Sequence, residues 1–520
     1  MSVAVIGHEK GAHRGLITVS VMLATIMQTL DTSIANVALP HMQGSLSASQ
    51  DQISWVLTSY IVAAAVATPL TGWLAGRYGR KQLFLGSVIG FTVASALCGL
   101  AVNLEQIVLY RLLQGVFGAA LVPVSQAVLL DTYPRERHGS AMAIWGAGIV
   151  VAPILGPTLG GWLTDTYNWR WVFFINLPVG VLTIVGVSLF VAETQLDRER
   201  PFDFFGFAMF SLAIGALQMM LDRGEQNDWF SVTETWIELG LTVTGFWVFI
   251  VHAATYDHPF VHLKMFRDWN YLAGNVLMFA MGLLLYGTLA LLPPLLQDLL
   301  GYPVVTSGNV LAPRGIGTLM AMAFVGRLAG RVDVRLLLFF GLSIAAYSLW
   351  EMTGYSLEMD VWSVVWVTVL QGFGLGFVWV PLTTVSFATL SPQLRTEASA
   401  FNSLVRNIGG SIGIAVGESV FARSVQSNHA WIAEHANPFN PMLNLPGVRG
   451  VWDLTTTHGL STLNVEITRQ AQMIAYIDVF RLLMVITLSL IPLLLLLRIR
   501  SGMRPRAAPA APRTASEPAE

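Results

Sequence analysis

The feature that most constrains this chain is a series of long apolar stretches that recur from one end to the other. A stretch of about 20 apolar residues spans the hydrocarbon core of a bilayer as an α-helix. Only 12% of the 520 residues are charged, against roughly a quarter in soluble domains. The pattern predicts an all-α polytopic membrane protein and excludes secreted, disordered and soluble multidomain proteins.

Fourteen stretches are predicted to cross the membrane, and we number them span 1 to span 14 in chain order. The first is too long to be a cleavable signal sequence and carries Asp31 inside it. The predicted bounds are Leu16–Leu39, Ile53–Ala75, Leu83–Val102, Gln106–Leu130, Ser140–Leu163, Trp171–Ala192, Phe204–Leu221, Thr235–Ala254, Tyr271–Leu296, Val304–Gly326, Val334–Gly354, Val361–Leu390, Glu397–Phe421 and Ile474–Leu497.

Lysine and arginine residues are distributed unevenly between the two sides of these spans. Of the 29, 20 lie on the side of the N-terminus, 5 lie on the opposite side and 4 lie within spans. Because basic residues favour cytoplasmic segments, we expect both termini to be cytoplasmic. The tail, residues 498–520, is rich in proline and alanine and is expected to be disordered.

Two short motifs occur twice at nearly the same separation. Gly72–Arg77 after span 2 matches Gly326–Arg331 after span 10 at an offset of 254, and Gln114-Gly115 matches Gln371-Gly372 at an offset of 257. The repeat is therefore displaced by eight spans, which predicts two pseudo-symmetric six-helix bundles separated by two inserted helices. The predicted domains are an N-terminal bundle over 1–192, the inserted helices over 193–262, and a C-terminal bundle over 263–497 with a large outer loop at 422–473.

Four ionisable residues are expected deep inside spans, where a charge costs several kcal/mol unless it is paired or wet. Asp31 lies about 12 Å and Arg111 about 8–9 Å from the outer surface, so they can pair if their spans are neighbours. A neighbouring arginine favours the ionised carboxylate whereas burial favours the neutral acid, so such a pair can load and release a proton. The alternative is a static ion pair that locks the bundle.

Arg314 and Arg406 are expected about 15 Å and about 14 Å deep in the second bundle, with no acid at that depth. With Asp31 and Arg111 cancelling, the deep charge of about +2 favours an anionic or weakly acidic amphipathic substrate. Alternatively, each arginine bonds backbone carbonyls at a helix break. Gln28 and Asn36 flank Asp31 by about a turn, and they either line the same substrate cavity or bond across helices.

Several motifs resemble the major facilitator superfamily in its fourteen-span drug–proton antiporter branch. They are Leu30–Pro40, Gly72–Lys81, Arg111–Gly115, Gly148–Gly161 and Asn168–Pro178. The resemblance covers about residues 16–497, is strongest to EmrB-type inner-membrane exporters, and is most specific in span 5. It departs at Gly76, where the family commonly has an aspartate.

The resemblance implies the major facilitator fold and a proton-coupled multidrug efflux antiporter of a bacterial inner membrane, working by alternating access. Asp31 and Arg111 would couple transport to protons. A motif in span 5 would close the cavity against leak, although tight packing alone explains it equally well; its residues are Gly148, Pro153, Gly156, Pro157, Gly160 and Gly161. The cytoplasmic gate loop would contain Gly72, Arg77, Gly79 and Arg80.

The resemblance also implies a tripartite pump, in which the exporter passes substrate to a periplasmic adaptor and an outer-membrane channel. In the outer loop, residues 460–474 carry an apolar stripe at helical spacing, after a turn region at Asn437–Pro441. The stripe has to be covered by the loop itself, by lipid or by a partner helix. We expect the loop to dock the adaptor. The stripe comprises Leu460, Leu463, Ile467, Ala471 and Ile474.

The remaining chemistry-bearing residues predict no enzyme, cofactor or metal site. Cys98 is the only cysteine, and the ten histidines show no ligand spacing. No catalytic or phosphate-binding motif is present, and the net charge of −2 gives no reason to expect nucleic acid. The alternatives left open are uptake or metabolite transport by the same fold, and a membrane sensor that does not transport.

Overall fold

The computed structural model describes residues 14–134, 137–193, 201–328, 332–391, 394–437, 439–441, 443, 445–449 and 451–497. The predicted disordered tail at 498–520, and Gly330 and Arg331 of the repeated motif, lie outside the described residues. Within the described ranges the regular structure is helical, so the predicted all-α membrane fold is confirmed.

Each of the fourteen predicted spans is helical. Ten helices in the described chain are long and apolar enough to cross a membrane, and a bent pair in span 2 makes an eleventh. The other three are spans 5, 10 and 13. In chain order the spans are Arg14–Leu46, Trp55–Ala67 with Leu70–Tyr78, Arg80–Leu100, Leu104–Gly118 with Leu121–Thr132, His138–Thr166, Trp171–Phe174 with Asn176–Phe190, Phe204–Arg223, Thr233–Thr255, Trp269–Pro294, Val304–Leu311 with Pro313–Leu328, Val334–Met352, Val361–Ala388, Arg395–His435 and Thr457–Leu490.

Four spans consist of two helices, each broken near a proline that interrupts the hydrogen-bond ladder; in span 6 the break at Ile175 shortly precedes Pro178. Proline has no N–H and its ring clashes with the carbonyl four residues earlier. Span 2 bends by 57° at Pro69, span 10 breaks before Pro313, and span 4 breaks at Ala119 and Ala120, where Ala119 carries the carbonyl opposed by Pro123. For span 10 the sequence offered a helix break at Arg314 as one alternative, and for the other three spans it predicted no break.

The two bundles repeat the same helix pairs. Span 1 packs on span 5 and span 2 on span 4, and their counterparts eight spans later, 9 on 13 and 10 on 12, pack in the same way. The crossings coincide at repeated positions, because Gly115 lies against the carbonyl of Tyr60 and Gly372 against the carbonyl of Arg314. Tyr60 and Arg314 differ by 254 and Gly115 and Gly372 by 257, the two offsets of the sequence repeat.

The inserted spans 7 and 8 form a hairpin at the edge of the bundles. Span 8 packs mainly on span 7, and span 7 contacts span 2 and span 13. At one end Asp203 of span 7 accepts a hydrogen bond from the backbone N–H of Phe260 (3.3 Å) and lies 2.8 Å from the His252 ring. Gln218 donates to Ser411 of span 13 at 2.5 Å.

The segment between spans 13 and 14 is mostly helical rather than an irregular loop. Span 13 continues to His435 and span 14 begins at Thr457. The two extensions pack on each other, with Ser424 donating to Asp478 at 2.7 Å. Most of the predicted apolar stripe is covered by this packing: Leu463, Ile467 and Ala471 are buried, whereas Leu460 is 49% exposed.

Candidate functional site

The first bundle contains a buried polar cluster around Asp31. Arg111 donates to one carboxylate oxygen at 2.6 Å, while Gln114 and Asn176 donate to the other at 2.9 Å and 2.7 Å. Asn176 also donates to Ser95 at 3.0 Å. The helices of spans 1, 3, 4 and 6 thus meet at one carboxylate, and Asp31 pairs with Arg111 as the sequence predicted.

Arg111 has further partners on the neighbouring span 2. Its Nε donates to the backbone carbonyl of Val56 at 3.1 Å, and its Cζ lies 4.3 Å from the centroid of the Tyr60 ring. A guanidinium over an aromatic face is attracted by the ring quadrupole. Arg111 is fully buried and Asp31 is 2% exposed, so the pair is shielded from solvent in this conformation.

The partners of Asp31 determine which protonation state fits. All three neighbouring groups donate N–H bonds, and a carboxylate can only accept. A protonated Asp31 would carry an O–H that competes with these donors. The described arrangement therefore fits the ionised carboxylate.

Arg314 is a buried arginine of the second bundle, at the position in span 10 that repeats Tyr60 of span 2, and it has few partners. Its guanidinium is 1% exposed and donates to Thr288 of span 9 at 3.1 Å. Its Nε and the other terminal nitrogen have no hydrogen-bond partner among the described residues, and neither does the side-chain oxygen of Gln371. One alternative for Arg314 was that it bonds backbone carbonyls at a helix break. In the described chain its side chain donates to the Thr288 hydroxyl and to no backbone carbonyl.

Arg406 of span 13 is buried. Its guanidinium bonds the side-chain oxygen of Asn407 at 3.2 Å and lies 5.6 Å from the centroid of the Trp379 ring. Trp379 packs against Gly146 of span 5, where an added Cβ would lie 2.7 Å from the indole. Arg406 therefore stands close to the contact between the bundles.

The two amides beside Asp31 differ in their surroundings. Gln28 is half-buried and its amide nitrogen lies 3.5 Å from the Tyr60 hydroxyl. Asn36 is exposed. Neither touches Asp31 in the described contacts.

The span 5 glycines face span 1 at close range. A Cβ at Gly148 would clash with Met22, one at Gly156 would clash with Ser33, and one at Gly160 would lie 3.3 Å from the Ile34 carbonyl. Gly161 is buried and Pro157 is half-buried. Pro153 lies in the same helix, but its side chain is outside the described residues.

Close glycine packing is also present in the second bundle. Gly409 and Gly413 of span 13 lie against the backbone carbonyls of Phe279 and Leu283 in span 9. Because the glycine-mediated crossing occurs in both bundles, tight packing accounts for much of the span 5 pattern.

The segment after span 2 joins the two bundles through Arg80. Asp131 at the end of span 4 forms ion pairs with Arg80 of the first bundle and with Arg395 of the second, the latter at 2.7 Å. Arg80 also donates to Thr396 at 2.7 Å. We call Arg80, Asp131 and Arg395 the three-residue latch.

A second contact between the bundles lies beside the latch. A Cβ at Gly72 would lie 2.8 Å from the Cα of Glu397, and the Glu397 carboxylate lies 2.8 Å from the His262 ring. Gly79 has a φ of +86° and an added Cβ would clash with Glu193, so only glycine fits this turn. Arg77 lies over the Trp73 ring, with its Cζ 5.4 Å from the centroid.

Sequence reasoning missed Gln114, Asn176, Asp131 and Arg395 as members of these clusters. A signal existed for Gln114, because it follows Arg111 by one helical turn and shares its face. Asp131 lies three residues before Pro134 and Arg395 lies three residues after Pro392, but nothing in the sequence paired Asp131 with Arg395. In the described chain no group of three or more His, Cys, Asp or Glu residues could hold a metal ion.

Two pseudo-symmetric helical bundles with a buried ion pair and a latch between them define a polytopic membrane transporter, not an enzyme. The chain belongs to the Major Facilitator Superfamily, whose family model matches residues 21–414. Two solved structures share the fold: the human organic anion transporter MFSD10 (TETRAN), with a TM-score of 0.56, 14% identity and coverage of 91% of this chain and 99% of that one, and the proton:xylose symporter XylE, with a TM-score of 0.57, 12% identity and coverage of 93% and 97%.

Two relatives are more similar to this chain in sequence than the two solved structures are. The Multidrug export protein EmrB of Escherichia coli K12 is 38% identical over 435 residues, which cover 83% of this chain and 85% of that protein. The Fatty acid resistance protein FarB of Neisseria gonorrhoeae is 37% identical over 492 residues, which cover 93% and 96%. The resemblance to EmrB-type proteins is thereby confirmed.

Proposed function

We propose that this protein is a proton-coupled multidrug exporter of a bacterial inner membrane, with both termini cytoplasmic. The observation that carries the proposal is the buried Asp31 carboxylate, held by Arg111, Gln114 and Asn176 inside a major facilitator fold. An ionisable residue at this depth is expensive and is a functional candidate by default. Relatives named for multidrug export and fatty acid resistance support an amphipathic substrate.

Proton coupling follows from what Arg111 can do besides pair with Asp31. Its contacts with the Val56 carbonyl and the Tyr60 ring are made alongside the pair with Asp31, and they would hold the guanidinium on span 2 if span 1 moved Asp31 away in a second conformation. With Arg111 displaced, the buried carboxylate loses its countercharge, and binding a proton removes the cost of an unpaired buried charge. Asp31 would thus bind a proton in one state and release it in the other.

The moving parts are the bundles over 1–192 and 263–497, with the hairpin over 193–262 attached to spans 2 and 13. The three-residue latch would keep the cytoplasmic side closed in the described conformation, with Gly72, Arg77 and Gly79 shaping the same gate loop. The glycine-mediated contact of span 5 with span 1 would keep the closed bundle tight against leak of protons.

The charge of the second bundle favours substrates with a negative or weakly acidic group. Arg314 has guanidinium nitrogens without partners in the described chain, and Arg406 lies near the contact between bundles. An anionic group would satisfy donors that are otherwise buried at a cost. Gln28 and Asn36 would line the path on the side of the first bundle.

Transport is tested with inverted membrane vesicles that carry an imposed proton gradient. Anionic, neutral and cationic amphipaths are added in turn while a pH-sensitive dye reports the gradient. We expect amphipathic acids to collapse the gradient in vesicles with the wild-type protein and not in vesicles without it. If no member of the panel moves protons, the protein is not a proton-coupled exporter and the sensor alternative gains.

We also propose that the helical extensions beyond spans 13 and 14 dock a periplasmic adaptor that leads to an outer-membrane channel. Since the predicted stripe is mostly buried, the docking surface would be the apolar residues that remain exposed. Trp431 is 61%, Phe439 91% and Val465 65% exposed.

The partner proposal is tested by replacing Ser424–Arg469 with a short Gly/Ser linker, and separately by Trp431→Ser with Phe439→Ser. Vesicle transport should survive, because Asp31 is untouched, while adaptor co-purification and cellular resistance should fall. Leu463→Ser is the contrasting variant, since this buried side chain should affect stability rather than docking. Unchanged adaptor binding after the deletion would place the docking surface elsewhere.

A further inference from the structure

A groove of 390 Å³ lies between spans 2, 3 and 4, outside the clusters described above. It forms where span 2 bends by 57° at Pro69 and span 4 is interrupted at Ala119 and Ala120. The two breaks lie side by side, because Ala119 and Ala120 line the groove together with Ala67 and Leu70 from the two arms of span 2. The helix breaks thus open a wedge that straight helices would close.

The groove faces the hydrocarbon of the bilayer. Val116 and Phe117, which line it, are 42% and 38% exposed although they lie in the middle of a membrane span. Large apolar side chains that are exposed in a span contact lipid tails. Tyr78 and Gln82 line the end nearest the turn at Gly79, so that end reaches the membrane interface. Any occupant therefore enters from the leaflet that adjoins Gly79.

The lining carries hydroxyl groups but no charge. All of its residues are described, and none of them is acidic or basic. Thr71 is 1% exposed, and its hydroxyl has no hydrogen-bond partner in the described chain. Threonines in unbroken helices of the protein, such as Thr25 and Thr92, donate to the carbonyl four residues earlier. Thr71 lacks such a bond because it follows the break at Thr68 and Pro69.

We propose that this groove binds the alkyl chain of an uncharged single-chain amphipath, such as a long-chain alcohol or a protonated fatty acid. A cavity of this size lies in the range of small-molecule sites. The apolar walls suit the chain, and the absence of charge disfavours an ionised group. The Thr71 hydroxyl is buried and unpartnered in the described chain, so by turning toward an oxygen of the ligand it would gain a hydrogen bond. This site is separate from Asp31, so it does not depend on proton coupling.

Gly86 provides a variant that fills the groove without disturbing the fold. It lines the groove from span 3, and an added Cβ would meet no atom within 4 Å. Leucine is a good helix former, so Gly86→Leu should be tolerated by the helix. Gly240 of span 8 likewise has open space at its Cβ but lies away from the groove, so Gly240→Leu is the matched control.

The experiment uses the full-length protein in phosphatidylcholine nanodiscs with a long-chain alcohol that bears a mid-chain diazirine. After photolysis, labelled peptides are mapped by mass spectrometry. We expect saturable labelling within 67–87 and 113–120, reduced at least fivefold by Gly86→Leu and unchanged by Gly240→Leu. Thr71→Val should lower labelling by the alcohol severalfold while leaving labelling by the matching alkane unchanged.

Competition identifies the source of the occupant. Unlabelled long-chain alcohol or protonated fatty acid should displace the probe, whereas added diacyl phospholipid should not. Labelling that does not saturate, spreads evenly over lipid-facing spans or ignores Gly86→Leu would overturn the proposal. Displacement by phospholipid alone would overturn it too, because the groove would then hold an ordinary lipid chain.

Discussion

The two bundles share one architecture, but the buried arginine of each bundle has different hydrogen-bond partners. In the first bundle Arg111 is paired with Asp31 and supported by Gln114. In the second bundle Arg314 reaches only Thr288 at 3.1 Å, and two of its nitrogens have no described partner. Repetition of the backbone therefore did not repeat the electrostatics, which makes the first bundle neutral and the second cationic.

The difference suggests that the first bundle binds the proton and the second bundle binds the substrate. A carboxylate with a displaceable countercharge suits proton binding, whereas a buried cation short of partners suits an anionic substrate. Removing one partner of a buried pair leaves a charge uncompensated, while removing a lone buried charge relieves a cost.

The largest expected effect is on stability. Arg111→Met should lower the free energy of unfolding by about 3–5 kcal/mol, because Asp31 loses its countercharge. Arg314→Met should leave stability unchanged or raise it, because it removes a buried charge that has one hydrogen bond. Thermal unfolding in detergent is followed with a thiol-reactive dye, since Cys98 is the only cysteine and is buried.

A double variant controls for the first result. Combining Arg111→Met with Asp31→Asn removes both charges and should recover most of the lost stability. If Arg314→Met proved as damaging as Arg111→Met, then Arg314 would be a paired structural residue and the contrast between the bundles would fail.

The next effect concerns substrate charge. Arg314→Gln should weaken binding of an anionic amphipath about tenfold, or about 1.4 kcal/mol, and leave its neutral analogue unaffected. Arg406→Gln should act in the same direction. Binding is measured by titration of the purified protein, and equal losses for both analogues would favour structural roles.

The smallest effect concerns the latch. Asp131→Asn should favour opening of the cytoplasmic side by about 1 kcal/mol, since the Asp131 side chain is 35% exposed. A cysteine placed at Ser399 in a Cys98→Ala background, buried beside the latch, should react with a thiol reagent about fivefold faster. Lys81→Gln is the control, because Lys81 bonds the Ser188 carbonyl within one bundle.

Much of the fold could be predicted from the sequence. Fourteen apolar stretches and two repeated motifs predicted the helices and the eight-span displacement, because hydrophobic length and tight glycine packing are local signals. The break at Pro69 was overlooked, although proline marks it, whereas a helix break beside Arg314 was one of the alternatives considered. The helical continuation of span 13 to His435 was also missed, because its polar residues lower the hydropathy of this stretch below that of a membrane span.

The site was harder to predict for a physical reason. The similar predicted depths of Asp31 and Arg111 made a pair possible, and the family resemblance implied that their spans are neighbours. The partner of Arg314 and the pairing of Asp131 with Arg395 depend on how helices are rotated and which bundles touch, and periodicity carries no such information. Gln114 was accessible through its spacing from Arg111, whereas Asn176 was not.

Proton coupling through Asp31 is tested by separating transport of the substrate from its coupling to the pH gradient. Wild type, Asp31→Asn and the double variant Asp31→Asn with Arg111→Gln are reconstituted into proteoliposomes, and two activities are compared for each. We expect substrate exchange at equal pH to persist in whichever variant folds, and accumulation driven by a pH gradient to be lost in both. Undiminished gradient-driven accumulation in a variant that lacks the Asp31 carboxylate would contradict the account.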